Sequence, residues 1–166
     1  MKNDILKSLN DAFGSSPRPK FFNKFIYDDK EFKEHDDLLQ KRNKSSLTRS
    51  DLGSVGWNPV STMNVAGWRY WLPTLGKIAI GFDRGDRGLF MSDFLIYLGN
   101  PRENETFIDL TKNERTAIYE FLEKSSDLVK KKMEPEVEFL YDLLPVIQQW
   151  KEFSNIDDDN DSVAVK

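Results

Sequence analysis

The feature that most constrains this chain is the period of its apolar residues, which return at intervals of three and four and nowhere alternate convincingly with polar ones. Val65, Trp68, Trp71, Leu72, Leu75, Ile78, Ala79 and Phe82 trace one such series, and Ile118, Phe121, Leu122 and Val129 trace another. A chain with this period buries its apolar surface by laying helix on helix. The expected class is therefore all-α, a single compact bundle of six or seven helices, with Thr106 to Leu110 as one short extended piece. No self-similarity at solenoid spacing is present, which favours a bundle over an array.

Punctuation places the elements. Asn3 is expected to cap a first helix carrying Leu6, Leu9 and Phe13, with Gly14 at its end. The loop over 15–27 holds Pro17 and Pro19 and then Phe21, Phe22, Phe25 and Tyr27, rings that should pin it to the core. Asp28 or Asp29 starts a second helix to about Arg42, with Phe32, His35, Leu38 and Leu39 on one stripe. Residues 43–63 form a long connection with one helical turn near Asp51.

Asn64 caps the next helix, where Pro73 should deny the Arg69 carbonyl its partner and kink or restart the helix. Gly81 to Gly88 reads as a turn-rich hinge, Leu89 to Leu98 as a short helix and 99–106 as a polar loop. Thr111-Lys112-Asn113-Glu114 is a capping box, the clearest helix start in the chain. Pro135 opens a final helix over 134–153. The whole reads as one helical domain over 1–156 with a disordered acidic tail over 157–166.

Composition removes much chemistry. With no cysteine and one histidine there are no disulfides, thiolate metal sites or thiol nucleophiles, and a reducing compartment suits the chain. Four of the 28 acidic residues (Asp157, Asp158, Asp159 and Asp161) and one of the 24 basic ones (Lys166) follow Ile156, leaving 23 basic against 24 acidic before it. That near-neutral body lacks the footprint of a nucleic-acid binder, and the run Lys130, Lys131 and Lys132 reads as a solvated helix end. The opening residues form no continuous apolar stretch, and Leu89–Leu98 spans half a bilayer and holds Asp93, so a soluble cytoplasmic protein is expected.

The candidate motifs are weak. His35 lies between Glu34 and Asp36 but has no second histidine to share a metal, so it reads as an ordinary helix-face residue. Gly81-Phe82-Asp83-Arg84-Gly85-Asp86-Arg87-Gly88 matches neither phosphate-loop pattern and reads as turn punctuation. Asp157-x-Asp159-x-Asp161 imitates a calcium loop yet has Ser162 where glycine is needed. A serine triad lacks its elbow. No catalytic residue, metal site or cofactor is expected.

Two sets of residues remain. Arg69 and Asp93 each interrupt a mostly apolar helix, and a buried charge needs a partner, so they are expected to pair. With Tyr70 and Tyr97 they would line a small polar pocket, the candidate ligand site. In the final helix, Val137, Leu140, Tyr141, Leu144 and Ile147 form one apolar stripe and Phe139, Leu143, Val146 and Trp150 a second. One stripe packs on the bundle; the other is either covered by a loop or offered to a partner, with Phe139 and Trp150 as anchors.

Trp68-Arg69-Tyr70-Trp71-Leu72-Pro73 resembles the aromatic-Arg-Tyr-aromatic-Leu-Pro motif of a bacterial family known only as a domain of unknown function. Asp109-Leu110-Thr111-Lys112-Asn113-Glu114-Arg115-Thr116-Ala117-Ile118-Tyr119-Glu120-Phe121-Leu122 is similar to that family's Leu-Thr-x-x-Gln/Glu-Arg-x-Ala-Val/Ile-x-x-Phe-Leu segment. The resemblance covers roughly residues 3–129, departs at Gly53, Gly56 and Pro59, and leaves out the final helix. It implies a single helical domain and brings no activity, substrate or cofactor.

The expectation is thus a non-enzymatic protein that recognises another protein, or self-associates, through the final helix, with a toxin-neutralising or accessory role as one form of that recognition. The alternative is a small-molecule-binding protein or minor enzyme with a pocket around Arg69 and Asp93.

Overall fold

The computed structural model describes residues 2–25, 27, 29–53, 57–81, 89–132 and 137–158, with the side chains of 89, 130–132 and 137–142 left aside. The hinge 82–88, Pro135, the side chains of the lysine run and Phe139, and the acidic residues after Asp158 lie outside the described residues.

Seven α-helices are present among the described residues: α1 (Lys2–Ile5), α2 (Lys7–Phe13), α3 (Lys30–Gln40), α4 (Val65–Ala79), α5 (Leu89–Leu98), α6 (Lys112–Lys132) and α7 (Val137–Ser154). A 3-10 turn, Arg49–Leu52, interrupts the long connection near Asp51, as expected. The all-α bundle is therefore the fold. No helix of the described residues is long and apolar enough to cross a membrane.

Side-chain caps explain three of the starts. The Asp29 side chain accepts from the Glu31 and Phe32 amides to open α3, and Asn64 accepts from the Gly67 amide to open α4. In the capping box, the Thr111 amide donates to Glu114 Oε2 at 2.9 Å and the Glu114 amide donates to Thr111 Oγ1 at 3.3 Å.

Gly14 ends α2 as expected, with right-handed geometry at φ −59°. Three expectations are corrected. Asn3 lies inside α1 instead of capping it. Pro73 stands within a continuous α4, because all of Trp71 to Gly76 is buried among neighbouring helices and tertiary packing outweighs the proline. Thr106 to Asp109 turns instead of extending: the Phe107 amide donates to the Asn104 carbonyl, and Asn104 Oδ1 accepts from the Thr106 amide.

The core is one cluster fed by every helix, with Phe13, Phe22, Trp71, Phe90, Phe94, Phe121 and Trp150 fully buried. Rings link its layers: Trp68 meets Phe107 edge-on at 5.2 Å, and Phe107 meets Trp150 at 5.3 Å. A helix must come very close to another chain segment at Gly67, where an added Cβ would collide with the Phe22 carbonyl oxygen. Because α4 begins there, this contact sets the start of α4 against segment 21–24. The Asn64 amide donates to the same Phe22 carbonyl, and Asn23 pairs with Met63 across an isolated antiparallel bridge.

Residues 156–158 are also tied down. Arg115, 2% exposed, donates to the Leu110 and Ile156 carbonyls and to Asp158 Oδ1 at 2.8 Å. Asp158 accepts from the Lys112 amide at the start of α6, and Asp157 pairs with Lys112 Nζ at 2.6 Å. The first two residues of the expected disordered tail are thus fixed on α6.

Candidate functional site

The polar pocket expected around Arg69 does not assemble. Arg69 leaves α4 toward α6, where Nε and Nη2 donate to the two Glu114 oxygens at 2.7 and 2.9 Å and Nη2 also donates to the Asp109 carbonyl. The partner of Arg69 is Glu114, not Asp93. Burial lifts the Glu114 carboxyl, but the Arg69 guanidinium and the Thr111 amide outweigh it and hold the group below its ordinary value.

Tyr70 turns to a different neighbourhood. Its ring is buried between Phe22 and Trp71, and Lys44 Nζ and the Arg18 guanidinium lie over it at 4.7 and 5.6 Å. Tyr97 and buried Asp93 do stay together: burial first, and the Asp93 charge second, push the Tyr97 hydroxyl above its ordinary range. Arg49 is near enough to pull it the other way. Arg69, Tyr70 and the Asp93–Tyr97 pair therefore serve three different contacts. Two surface depressions lie elsewhere, one of about 160 Å³ at Asn100, Arg102, Gln149 and Glu152 and one of about 300 Å³ at Glu34, Asp37 and Lys41.

The described residues of the final-helix stripe, Leu143, Val146 and Trp150, are core. Leu143 and Trp150 are fully buried, Val146 is buried, and Trp150 Nε1 donates to the Leu98 carbonyl at 2.8 Å. Leu144, from the other stripe, is the half-exposed one. The two stripes differ little in composition, so the choice between them was made by α5 and the 99–110 turn, which supply Leu98 and Phe107.

What sequence reasoning missed is the aromatic loop before α3. Its rings were expected to be pinned inward, and Phe22 is. Phe25 and Tyr27, however, are 65% and 81% exposed, and Phe25 adopts φ 52°, a left-handed conformation that costs a bulky residue energy. The rings are ordered against partners: Tyr27 meets Phe21 edge-on at 5.8 Å, and Phe25 lies 6.3 Å from Phe32. The only signal in the sequence was the density of rings in a polar, proline-containing loop.

The loop is anchored from below by a buried polar cluster. The Asp36 carboxylate accepts from the Phe22 amide at 2.5 Å and the Asn23 amide at 3.1 Å. Asn23 Nδ2 donates to the Pro59 carbonyl and to Thr62 Oγ1, and the Lys24 amide donates to the Thr62 carbonyl. His35 stands next to them, 1% exposed, edge-on to Trp57 at 4.6 Å and with Nδ1 3.2 Å from Thr62 Oγ1. It is a buried histidine on the same stripe of α3 as the fully buried Leu39. Among the described residues, no group of three or more His, Cys, Asp and Glu side chains could hold a metal ion.

These observations define a small all-α domain that presents two aromatic side chains on a braced loop. No protein-family model, curated protein or solved structure matches the chain.

Proposed function

We propose that this protein acts by recognising another protein, and that the contact is made by the aromatic loop carrying Phe25 and Tyr27. The observation that supports this reading is the exposure of both rings on a backbone that holds Phe25 at positive φ. An aromatic ring left in water gives up the burial that would stabilise the fold, and a left-handed backbone costs about 1 kcal/mol or more. Both costs are recovered when a partner covers the rings, and rigid aromatics are the side chains that dominate such contacts. The fixed base under the loop lowers the entropy lost on binding.

In this reading the protein is non-enzymatic and cytoplasmic, and a toxin-neutralising or accessory role is one form of the recognition. Its resemblance to an uncharacterised bacterial family is part of the proposal and supplies no activity.

The test compares the unchanged chain with Phe25→Ser/Tyr27→Ser at pH 7.5, both checked by circular dichroism. A partner captured in stoichiometric amount from cells is purified, and its affinity for each form is measured. The expected loss is about tenfold or more, the size of an aromatic anchor. Equal affinity for the two forms, or no stoichiometric partner for either, refutes the reading.

A further inference from the structure

The buried cluster under the loop contains the chain's single histidine in a hydrogen-bond arrangement that its neutral form satisfies. Asn23 Nδ2 donates to Thr62 Oγ1, so the Thr62 hydroxyl proton is free to point at His35 Nδ1, 3.2 Å away. With Nδ1 accepting in this way, the proton of the neutral imidazole sits on Nε2. Among the described residues Nε2 has no hydrogen-bond partner; Glu31 Oε1, on a half-exposed side chain, is 3.7 Å away.

A second proton would have to sit on Nδ1. Thr62 Oγ1 would then face two donors, Asn23 and His35, and its own proton would need another acceptor. A cation would also be sealed beside Trp57 with almost no access to water. Among the described residues, the charges acting on the imidazole are carboxylates at the start of α3 or along it: Glu31, Glu34 and Asp29. The opposite wall, residues 57–63, carries no ionisable side chain.

We propose that His35 is an acid-sensitive pin for the aromatic loop: when neutral it seats segment 57–63 on α3 and so holds Asn23 and Lys24, and when protonated it releases them. The connection is short. Thr62 holds His35 by its hydroxyl, Asn23 by the same oxygen and the Lys24 amide by its carbonyl, and Phe25 is the next residue. Burial pushes the imidazole below its ordinary value, while Glu31, Glu34 and Asp29 oppose that shift. The sign follows by linkage. The released form binds the proton more tightly, so closure is complete above the ordinary histidine pKa of about 6.5 and is lost as pH falls below it. Between the two pKa values the ratio of released to closed loop rises about tenfold per pH unit.

This inference rests on the recognition reading only for the purpose of the loop; its test uses the free, full chain. The His35 ring resonance is followed by NMR from pH 8 to pH 5, together with the amides of Asn23, Lys24, Phe25 and Tyr27. We expect the amides to move with the midpoint of the imidazole. Hydrogen-exchange protection of the Lys24 amide, corrected for the intrinsic rate, should fall with the same midpoint.

Glu31→Gln, a half-exposed change that keeps the fold, should lower that midpoint by a few tenths of a pH unit, about what one screened charge supplies. Loop amides that stay fixed while His35 titrates overturn the proposal, as does a histidine that takes up no proton until the whole chain unfolds. An unchanged midpoint in Glu31→Gln overturns the assigned facing of Nε2. Loss of partner binding at pH 7.5 is a separate matter, because the pin is closed there.

Discussion

Glu114 does two jobs with one carboxylate, and removing it should cost more than either alone. Glu114→Ala deletes the return half of the capping box, a contribution of about 0.5–1 kcal/mol. It also strands Arg69, whose two bonds to Glu114 are made where the side chains are 31% and 13% exposed. Hydrogen bonds to charged groups in such a setting contribute about 1.5–3 kcal/mol. The total is about 2–4 kcal/mol, which for a chain of this size lowers Tm by roughly 5–12 °C.

A double-mutant cycle with Arg69→Met separates the two contributions. Urea denaturation followed by circular dichroism at 222 nm should give a coupling of about 1–2 kcal/mol, since the cap survives in Arg69→Met and the pair does not. A coupling below about 0.5 kcal/mol would refute the idea that Arg69 is satisfied by Glu114. A Glu114→Ala cost no larger than that of a cap alone would refute it equally.

Three further outcomes follow from the packing. Gly67→Ala should destabilise by about 1–3 kcal/mol in the same assay, because its Cβ has to move the Phe22 carbonyl that Asn64 also uses. Trp150→Phe should cost about 1–3 kcal/mol while leaving an edge-on ring contact with Phe107, as the buried Leu98 carbonyl loses its donor; a neutral result would place that carbonyl in contact with water. Asp51 is held at about 2, chiefly by Arg42 and also by Thr48, so its share of stability is complete above pH 4 and is lost as pH falls toward 2. Asp51→Asn should remove about 1–2 kcal/mol at neutral pH, with the deficit vanishing in acid.

Local signals carried most of the fold into the sequence. Asp29, Asn64 and the Thr111–Glu114 box are each read from a few neighbouring residues, because a helix start is satisfied within one turn. Partnerships across the bundle were not legible in the same way. Arg69 could have met Asp93 or Glu114 as far as composition goes; which one it meets depends on how α4 faces α6. The two apolar stripes of α7 pose the same ambiguity, resolved by Leu98 and Phe107 from more than forty residues earlier. The exposed Phe25 and Tyr27 were unreadable for a different reason: hydrophobicity suggests burial, and only the backbone direction, set through Asn23 and Asp36, turns them outward.

The clamp of Asp157 and Asp158 on the start of α6 bears on how the chain comes to be folded as it is made. Trp150 fills the space beside Phe107, and Arg115 finds its last acceptors at residues 156 and 158. Until α7 and residues 156–158 dock, the chain holds an unclosed apolar face on α5 and leaves the Arg115 guanidinium without its Asp158 carboxylate. Apolar surface exposed in that interval favours aggregation, so the docking of α7 is the step that protects α5 during folding.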